Sequence, residues 1–554
     1  MTPIQMQEIK NKLSILIAAK KEKTKEQING SQSTTSIPSV PEISLNQTTT
    51  DRFGKTITYN EKQNQFISIA SSGKSVVLIG AAGTGKTTCQ KGLVQTLISE
   101  GRAGILSNQG HKHLRDGSPG IVICAYTRRA VNNIRKNVSL DVADCCITIH
   151  KLLEYQPVYY SVIGEDGQEK TKMKFEATRN ARNPLPATIR TIIFEESSMI
   201  GTSLYQEVIN ACPHNPQTIF LGDIQQLPPV FGPAILGYKL LELPVVELTE
   251  VYRQAMESPI IALAHRILSG NKLDSTEVKA NWNFPNKLKI HPWKKKISAD
   301  DALSTAGKFF IQAESLKTYD PEEDIILIPF NKAFGTDELN KIIANHLAKK
   351  NSRDVYQIVA GFIRHHFSVG DKVLYDREDA IITKIERNIA YSGAQPLYHS
   401  KTLDYWGFDP ELHAPDPEDL GVDIDFMLSQ VAATESGDRV HQASHKLTLT
   451  LLDREDEVTI DKASEINSLL LGYALTVHKA QGSEWRKVFF VTHQSHATML
   501  QRELLYTAIT RAKEELYIIG EPELFVNGIL SQRIKGNTLE EKAEYFKGRK
   551  EAES

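Results

Sequence analysis

The chain has 554 residues, of which 40% are hydrophobic, and a formal net charge of −2. That length suits three to four domains of roughly 150 residues with real cores, and the near-neutral charge confines any polyanion site to a local patch. No apolar run approaches the roughly 20 residues of a membrane span, so no membrane partner is expected.

Residues 1–52 stand apart. Ile9, Leu13, Leu16 and Ile17 have helical spacing, and a Ser/Thr/Pro/Gly-rich stretch follows. Two readings stay open: a flexible tail with a marginal helix, or a tethered helix that docks on a protein partner. The start carries no signal-peptide pattern, and its lysines are mixed with glutamates, unlike a mitochondrial presequence. Five cysteines (Cys89, Cys124, Cys145, Cys146, Cys212) form no CxxC, which fits a reducing compartment and argues against a zinc site. The expected location is cytoplasmic, in a bacterium or in the host of a phage.

From Gly54 onward short apolar runs alternate with helical stretches. "KSVVLIG" (74–80), "GIVICAYT" (120–127), "TIIFEE" (191–196) and "QTIFLGD" (217–223) read as buried parallel strands. The pattern returns in "EDIILIPFN" (323–331), "KVFFVT" (487–492) and "ELYIIGE" (515–521). The fold class is therefore α/β, with two tandem parallel-sheet domains at 53–255 and 256–530 and a charged tail at 531–554. Two inserts interrupt them. Residues 157–178 read as a β-hairpin around "GEDG", and about 367–460 as a small β-barrel-like insert. Within the second insert, 402–438 holds ten acidic residues and no Lys or Arg, and is expected as a solvated acidic loop.

"GAAGTGKTT" (80–88) fits the phosphate-binding pattern G-x-x-x-x-G-K-[ST] between a strand and a helix. Gly80, Gly83 and Gly85 permit a tight loop with Thr84, whose N–H groups face phosphates. Lys86 can reach the β- and γ-phosphates, Thr87 can hold Mg²⁺, and Thr88 continues the helix N-terminus. The strand "TIIF" then ends in two adjacent carboxylates, which repel unless a cation lies near. A P-loop ATPase supplies that cation: Glu195 can serve the metal and Glu196 can act as general base. Gln226 follows another core strand in the stiff "FLGDIQQLPPV", the place for a phosphate sensor. Arg253 and Arg511 are candidate partners for transition-state charge. The run "RRAVNNIRK" (128–136) reads either as a solvated helix face or as a backbone-phosphate contact.

In this order the segments resemble superfamily 1 helicases, in the 5′→3′ branch of RecD-like and phage Dda-type enzymes, from about Thr58 to Gly520. "TYNEKQNQF" is similar to the family's adenine-sensing segment, with Gln63. "GAAGTGKTT" resembles motif I, and "CAYTRRA" and "TIHKLL" the DNA-contacting motifs Ia and Ib, carrying Thr127, Arg128 and His150. "EESSM" resembles motif II, "GDIQQLPPV" motif III and "YRQ" motif IV. "LGYALTVHKAQGSEW" resembles motif V, carrying Thr476, His478, Lys479, Gln481, Gly482 and Glu484, and "YTAITRAK" resembles motif VI with Arg511 as arginine finger. The resemblance implies RecA-like domains with ATP in the cleft between them. Gln63 and the P-loop would bind it from one side, and Gly482, Glu484 and Arg511 from the other. It implies single-stranded DNA and duplex junctions as partners, Mg²⁺ with ATP, a hairpin that splits the duplex, and work in replication, recombination or repair. Glu195 departs from the family's Asp. A 3′→5′ or RNA helicase, or a nucleotide-gated DNA clamp with weak hydrolysis, remains the alternative.

Overall fold

The computed structural model describes residues 48–50 and 56–553, except 103–119, 139, 144, 164–168, 230–231, 252–257, 271–281, 284–286, 293–296, 331–333, 362, 376–377, 390, 392–441 and 453–455. The N-terminal helix, the hairpin turn, the acidic loop and Arg253 therefore lie outside the described residues.

The first domain opens with α1 (Glu61–Ser71), β1 (Val76–Gly80), α2 (Lys86–Ser99), β2 (Gly120–Ala125), α3 (Arg128–Asn137) and β3 (Cys146–Thr148). After a hairpin of β4 (Tyr155–Ile163) and β5 (Glu169–Ala177) come β6 (Ile189–Phe194), β7 (Gln217–Gly222), α4 (Ile235–Glu242) and β8 (Val245–Leu248). Six strands pair in the order β8-β1-β7-β6-β2-β3, all parallel. A parallel sheet is covered on both faces, so its strands are apolar throughout rather than alternating. The runs "VVLIG" and "GIVICA" are buried at every position for that reason. At about 1.5–3 kcal/mol for each large apolar side chain buried, this core dominates the domain's stability.

The second domain starts with α5 (Pro259–Leu268), followed by β9 (Trp282–Asn283), β10 (Lys287–Pro292) and β11 (Ile325–Ile328). An insert then intervenes: a hairpin of β12 (Val355–Ala360) and β13 (Ile363–Ser368), then β14 (Lys372–Tyr375), β15 (Glu378–Arg387), β16 (Gln442–Leu451), β17 (Glu457–Lys462) and β18 (Leu470–Leu471). The domain resumes with β19 (Ala474–Thr476), β20 (Trp485–Thr492), α6 (Arg502–Ile509) and β21 (Ala512–Gly520). Its sheet runs β9-β10-β21-β20-β11-β19, parallel except for β9. The two sheets form the tandem parallel-sheet pair that the strand pattern predicts.

The insert differs in extent from the sequence reading. Its antiparallel sheet, β17-β16-β15-β14-β18, runs to Leu471 and is open at β17 and β18 among the described residues. The β12–β13 hairpin joins it, because Ile358, Ala360 and Phe367 share one core with Val373, Ile382, Leu447 and Leu449. The C-terminal region also differs. Residues past 530 are not a loose charged tail: α7 (Leu539–Glu553) returns to the first domain and packs along α4. Ile534 and Phe546 enter the first domain's core. The Phe546 ring lies against Gly237, where a Cβ would collide with it, and meets Tyr238 edge-on at 5.8 Å. Lys550 pairs with Glu242 at 2.9 Å.

Candidate nucleotide and nucleic-acid site

The loop between β1 and α2 turns on two glycines in the left-handed region, Gly83 (φ 81°) and Gly85 (φ 88°), where a side chain would be strained. At Gly80 a Cβ would run into the Thr84 hydroxyl, which donates to the Ala81 carbonyl at 2.9 Å and stiffens the loop. Lys86 is the first residue of α2, with Thr87 and Thr88 behind it at the positive helix end. Its ammonium donates to the carbonyls of Gly80 (2.6 Å) and Ala81 (3.2 Å). A phosphate arriving in the loop would take over those donors. Gln63 is fully buried and forms a reciprocal cap with Asn60, accepting from its N–H at 3.0 Å and donating its own N–H at 2.9 Å.

Glu195 and Glu196 leave the end of β6. The Glu195 N–H donates to Cys124 of the neighbouring strand at 2.8 Å, which extends the sheet by one residue. Glu196 then takes a left-handed conformation (φ 49°), uncommon for a residue with a side chain. That turn ends the strand at Glu195 and starts the short helical turn Ser197–Met199. Burial pushes the Glu195 carboxyl up to about 8 and the Glu196 charge adds to this, while Lys86 and the Glu196 N–H oppose it. A divalent cation would reverse the shift. The Thr87 hydroxyl and the Glu195 carboxylate are hard oxygen donors of the kind Mg²⁺ takes alongside phosphates, so the residues present fit that ion.

Beyond β7, the chain turns at Asp223, which is almost fully buried. Its Oδ1 accepts from the Gln225 N–H at 2.9 Å, and its carbonyl accepts from the Gln226 N–H at 3.1 Å. Gln226 is 5% exposed, and its Oε1 has no hydrogen-bond partner among the described residues. A buried acceptor left unmade costs about 1–3 kcal/mol, and such a group calls for an explanation. A water or hydroxyl held beside a phosphate would supply the donor.

The second domain reaches this turn with several side chains. The Tyr506 hydroxyl donates to Asp223 Oδ2 at 2.6 Å and accepts from the Ala82 N–H of the phosphate loop at 2.7 Å. Leu227 donates its N–H to Thr507 Oγ1 (3.0 Å), and its carbonyl accepts from Gln481 Nε2 (3.0 Å). Arg511 is buried within its own domain: Nε donates to the Thr507 carbonyl (3.0 Å), Nη1 to the Ser483 carbonyl (3.2 Å) and Nη2 to Thr510 Oγ1 (3.2 Å). Gly482 lies over the start of α3, where a Cβ would press on the Thr127 hydroxyl and the Ala130 Cβ. Glu484 is exposed and 3.8 Å from Lys513.

The nucleic-acid candidates sit at strand and helix ends. Thr127 caps α3 by accepting from the Ala130 N–H at 3.1 Å, and Arg128 beside it is exposed. His150 lies edge-on between Tyr126 and Tyr155. Thr476 accepts from the Lys479 N–H at 3.2 Å, and His478 and Lys479 are half-buried. The run "RRAVNNIRK" fits neither sequence reading as a whole. Arg129 is buried, ion-paired with Asp379 of the insert and set over the Trp485 ring at 5.3 Å. Asn132 donates to Glu378 at 3.2 Å, and Asn133 to the Gly482 carbonyl at 2.7 Å. Sequence reading also passed over Asp223, Tyr506 and Thr507. A lone Tyr or Thr on an apolar helix gives no signal until its partner 283 or 280 residues away is known.

The family described as AAA domain matches residues 63–232, and the UvrD-like helicase C-terminal domain matches 471–519. The ATP-dependent RecD2 DNA helicase of Deinococcus radiodurans is 26% identical over 484 residues, covering 86% of this chain but 51% of that protein. This chain thus spans about half the length of that relative. The ATP-dependent DNA helicase dda of Enterobacteria phage T4 is 22% identical over 80% of this chain and 94% of its own. RecBCD enzyme subunit RecD of Buchnera aphidicola (Schizaphis graminum) is 22% identical over 82% and 72%.

Proposed function

We propose that this chain, which belongs to the superfamily 1 helicases of the RecD-like and Dda type, is an ATP-dependent DNA helicase. It moves 5′→3′ along single-stranded DNA and opens duplex junctions in replication, recombination or repair. The observation that carries this reading is the seam between the two RecA-like domains. Tyr506, Thr507 and Gln481 of the second domain hold the phosphate loop and the sensor turn of the first. A nucleotide bound there is in contact with both domains, so its hydrolysis can drive them relative to one another.

In this reading Gln63 holds the base, and the N–H groups from Gly83 to Thr88 cradle the phosphates with Lys86. Mg²⁺ arriving with ATP would be held by Thr87 and Glu195 and would neutralise phosphate charge. Glu196 takes a proton from the attacking water, and Gln226 orients that water through its unpartnered Oε1. Arg511, with Arg253 from the first domain, meets the charge of the transition state once the cleft closes. Glu484 and Gly482 complete the second face. Thr127, Arg128, His150, Thr476, His478 and Lys479 grip the DNA backbone without sequence preference. Five free, buried thiols suit the cytoplasm.

The direct test offers the protein two duplexes with Mg²⁺ and ATP, one bearing a 5′ single-stranded tail and one a 3′ tail. Opening of the 5′-tailed duplex alone is expected. Opening of the 3′-tailed one alone keeps the activity and reverses the polarity, and opening of neither, with DNA still bound, favours the nucleotide-gated clamp. The β4–β5 hairpin is the proposed wedge. Deleting 164–168 at its turn is expected to reduce unwinding at least tenfold and DNA-stimulated hydrolysis less than twofold, and equal losses would remove that role.

A further inference from the structure

Among the described residues the sensor Gln226 has no hydrogen bond through Oε1, yet the main chain on either side of it is tied down. On one side Asp223 receives the Tyr506 hydroxyl. On the other, Leu227 gives its N–H to Thr507 and its carbonyl to Gln481. Tyr506 and Thr507 are consecutive residues of α6, and the same segment continues directly to Arg511. Thr507 also receives Arg511 Nε on its carbonyl. The Tyr506 hydroxyl has a third tie, to the Ala82 N–H of the phosphate loop. All of these groups except Ala82 are fully or almost fully buried, so water does not substitute for them.

We propose that Tyr506 and Thr507 are positioning residues for ATP hydrolysis, locking the sensor turn and the phosphate loop to the helix that leads into Arg511. Neither needs to touch the nucleotide. Their effect is to make the positions of Gln226 and Arg511 depend on one another. A displacement of α6 during closure moves Asp223 and Leu227 with it, and Gln226 lies between those two points. Without the two hydroxyls, nucleotide still enters the phosphate loop, whose glycines and lysine are intact. What is lost is the registration of the water-orienting amide with the arginine, which matters in the transition state and not in the bound ground state.

The proposal rests on the hydrolytic reading of this site and predicts a specific split. Tyr506→Phe, assayed in the full chain with saturating oligo(dT), is expected to lower kcat about tenfold while KM for ATP stays within about twofold. Thr507→Ala should behave alike, and Thr507→Ser, which keeps the oxygen, should return to within about twofold of the unaltered protein. If both Tyr506→Phe and Thr507→Ala keep kcat within twofold, or if KM rises as much as kcat falls, the positioning role is overturned. Failure of Thr507→Ser to recover, with its melting curve unchanged, overturns it as well. Should Tyr506→Phe not fold, the Thr507 pair decides alone. An unaltered chain that hydrolyses ATP without response to DNA would instead sink the helicase reading, and the same variants would then be judged on the basal rate.

Discussion

The two faces of the proposed nucleotide cleft are prepared differently. On the first domain's face, the phosphate loop is set by Gly83 and Gly85, Lys86 lies across its carbonyls, and Glu196 is held in a left-handed turn after Glu195. On the second domain's face, Arg511 spends its guanidinium on Thr507, Ser483 and Thr510 of its own domain. One face is ready to bind, and the other must first give up bonds it already has. In the proposed function this difference separates affinity from turnover: binding would belong to local backbone geometry, whereas hydrolysis would require a domain movement that exchanges one set of arginine partners for another.

The sharpest way to break this comparison is Arg511→Ala. If Arg511 is the proposed arginine finger, its removal is expected to lower kcat on the order of a thousandfold while leaving the affinity for a fluorescent ATP analogue within about threefold. A parallel loss of affinity would mean that the second face is already engaged in the resting protein. Lys86→Ala should show the opposite balance, lowering kcat/KM about a hundredfold with a clear loss of nucleotide affinity, as read by the same titration.

A smaller effect distinguishes the domains by pH. His496 is buried in the second domain, stacked on Phe334 at 5.6 Å. Its Nε2–H donates to the Phe334 carbonyl at 2.7 Å, and its Nδ1 accepts from the His493 N–H at 3.2 Å. Burial pushes its pKa down from 6.5 to about 4, with the charge of His493 adding to the shift and the Phe334 carbonyl opposing it. The neutral ring therefore stabilises the fold above pH 6.5, and that stability is lost as pH falls toward 4. Across that window the unfolding free energy of the unaltered protein should fall by about 2 kcal/mol relative to His496→Gln. Equal acid sensitivity of the two proteins in denaturant titrations would remove His496 as the cause.

The sequence made the first face legible because its chemistry is local. A strand, nine residues and a helix suffice to read the phosphate loop, and Glu195 and Glu196 stand out because two acids end an apolar run. The seam was not legible, for the opposite reason. Asp223 meets Tyr506 across 283 residues, and Arg129 meets Asp379 across 250. Arg129 in particular sits in a run whose charge reads as surface. Only its partner explains its burial, since a buried cation needs an anion or aromatic face close by. The C-terminal helix failed in the same way. Phe546 and Ile534 are isolated apolar residues among charges, and nothing nearby in the sequence indicates that Gly237 leaves room for that ring.

That returning helix has a mechanical consequence. The chain passes between the domains once between Leu248 and Pro259, and again between Leu530 and Leu539. A body attached at a single point can swivel freely, but one attached at two keeps chiefly the rotation about the line joining them. With Phe546 seated, the two crossings constrain the domains like a door on two hinges, and the work of the proposed hydrolysis would be channelled into one swing.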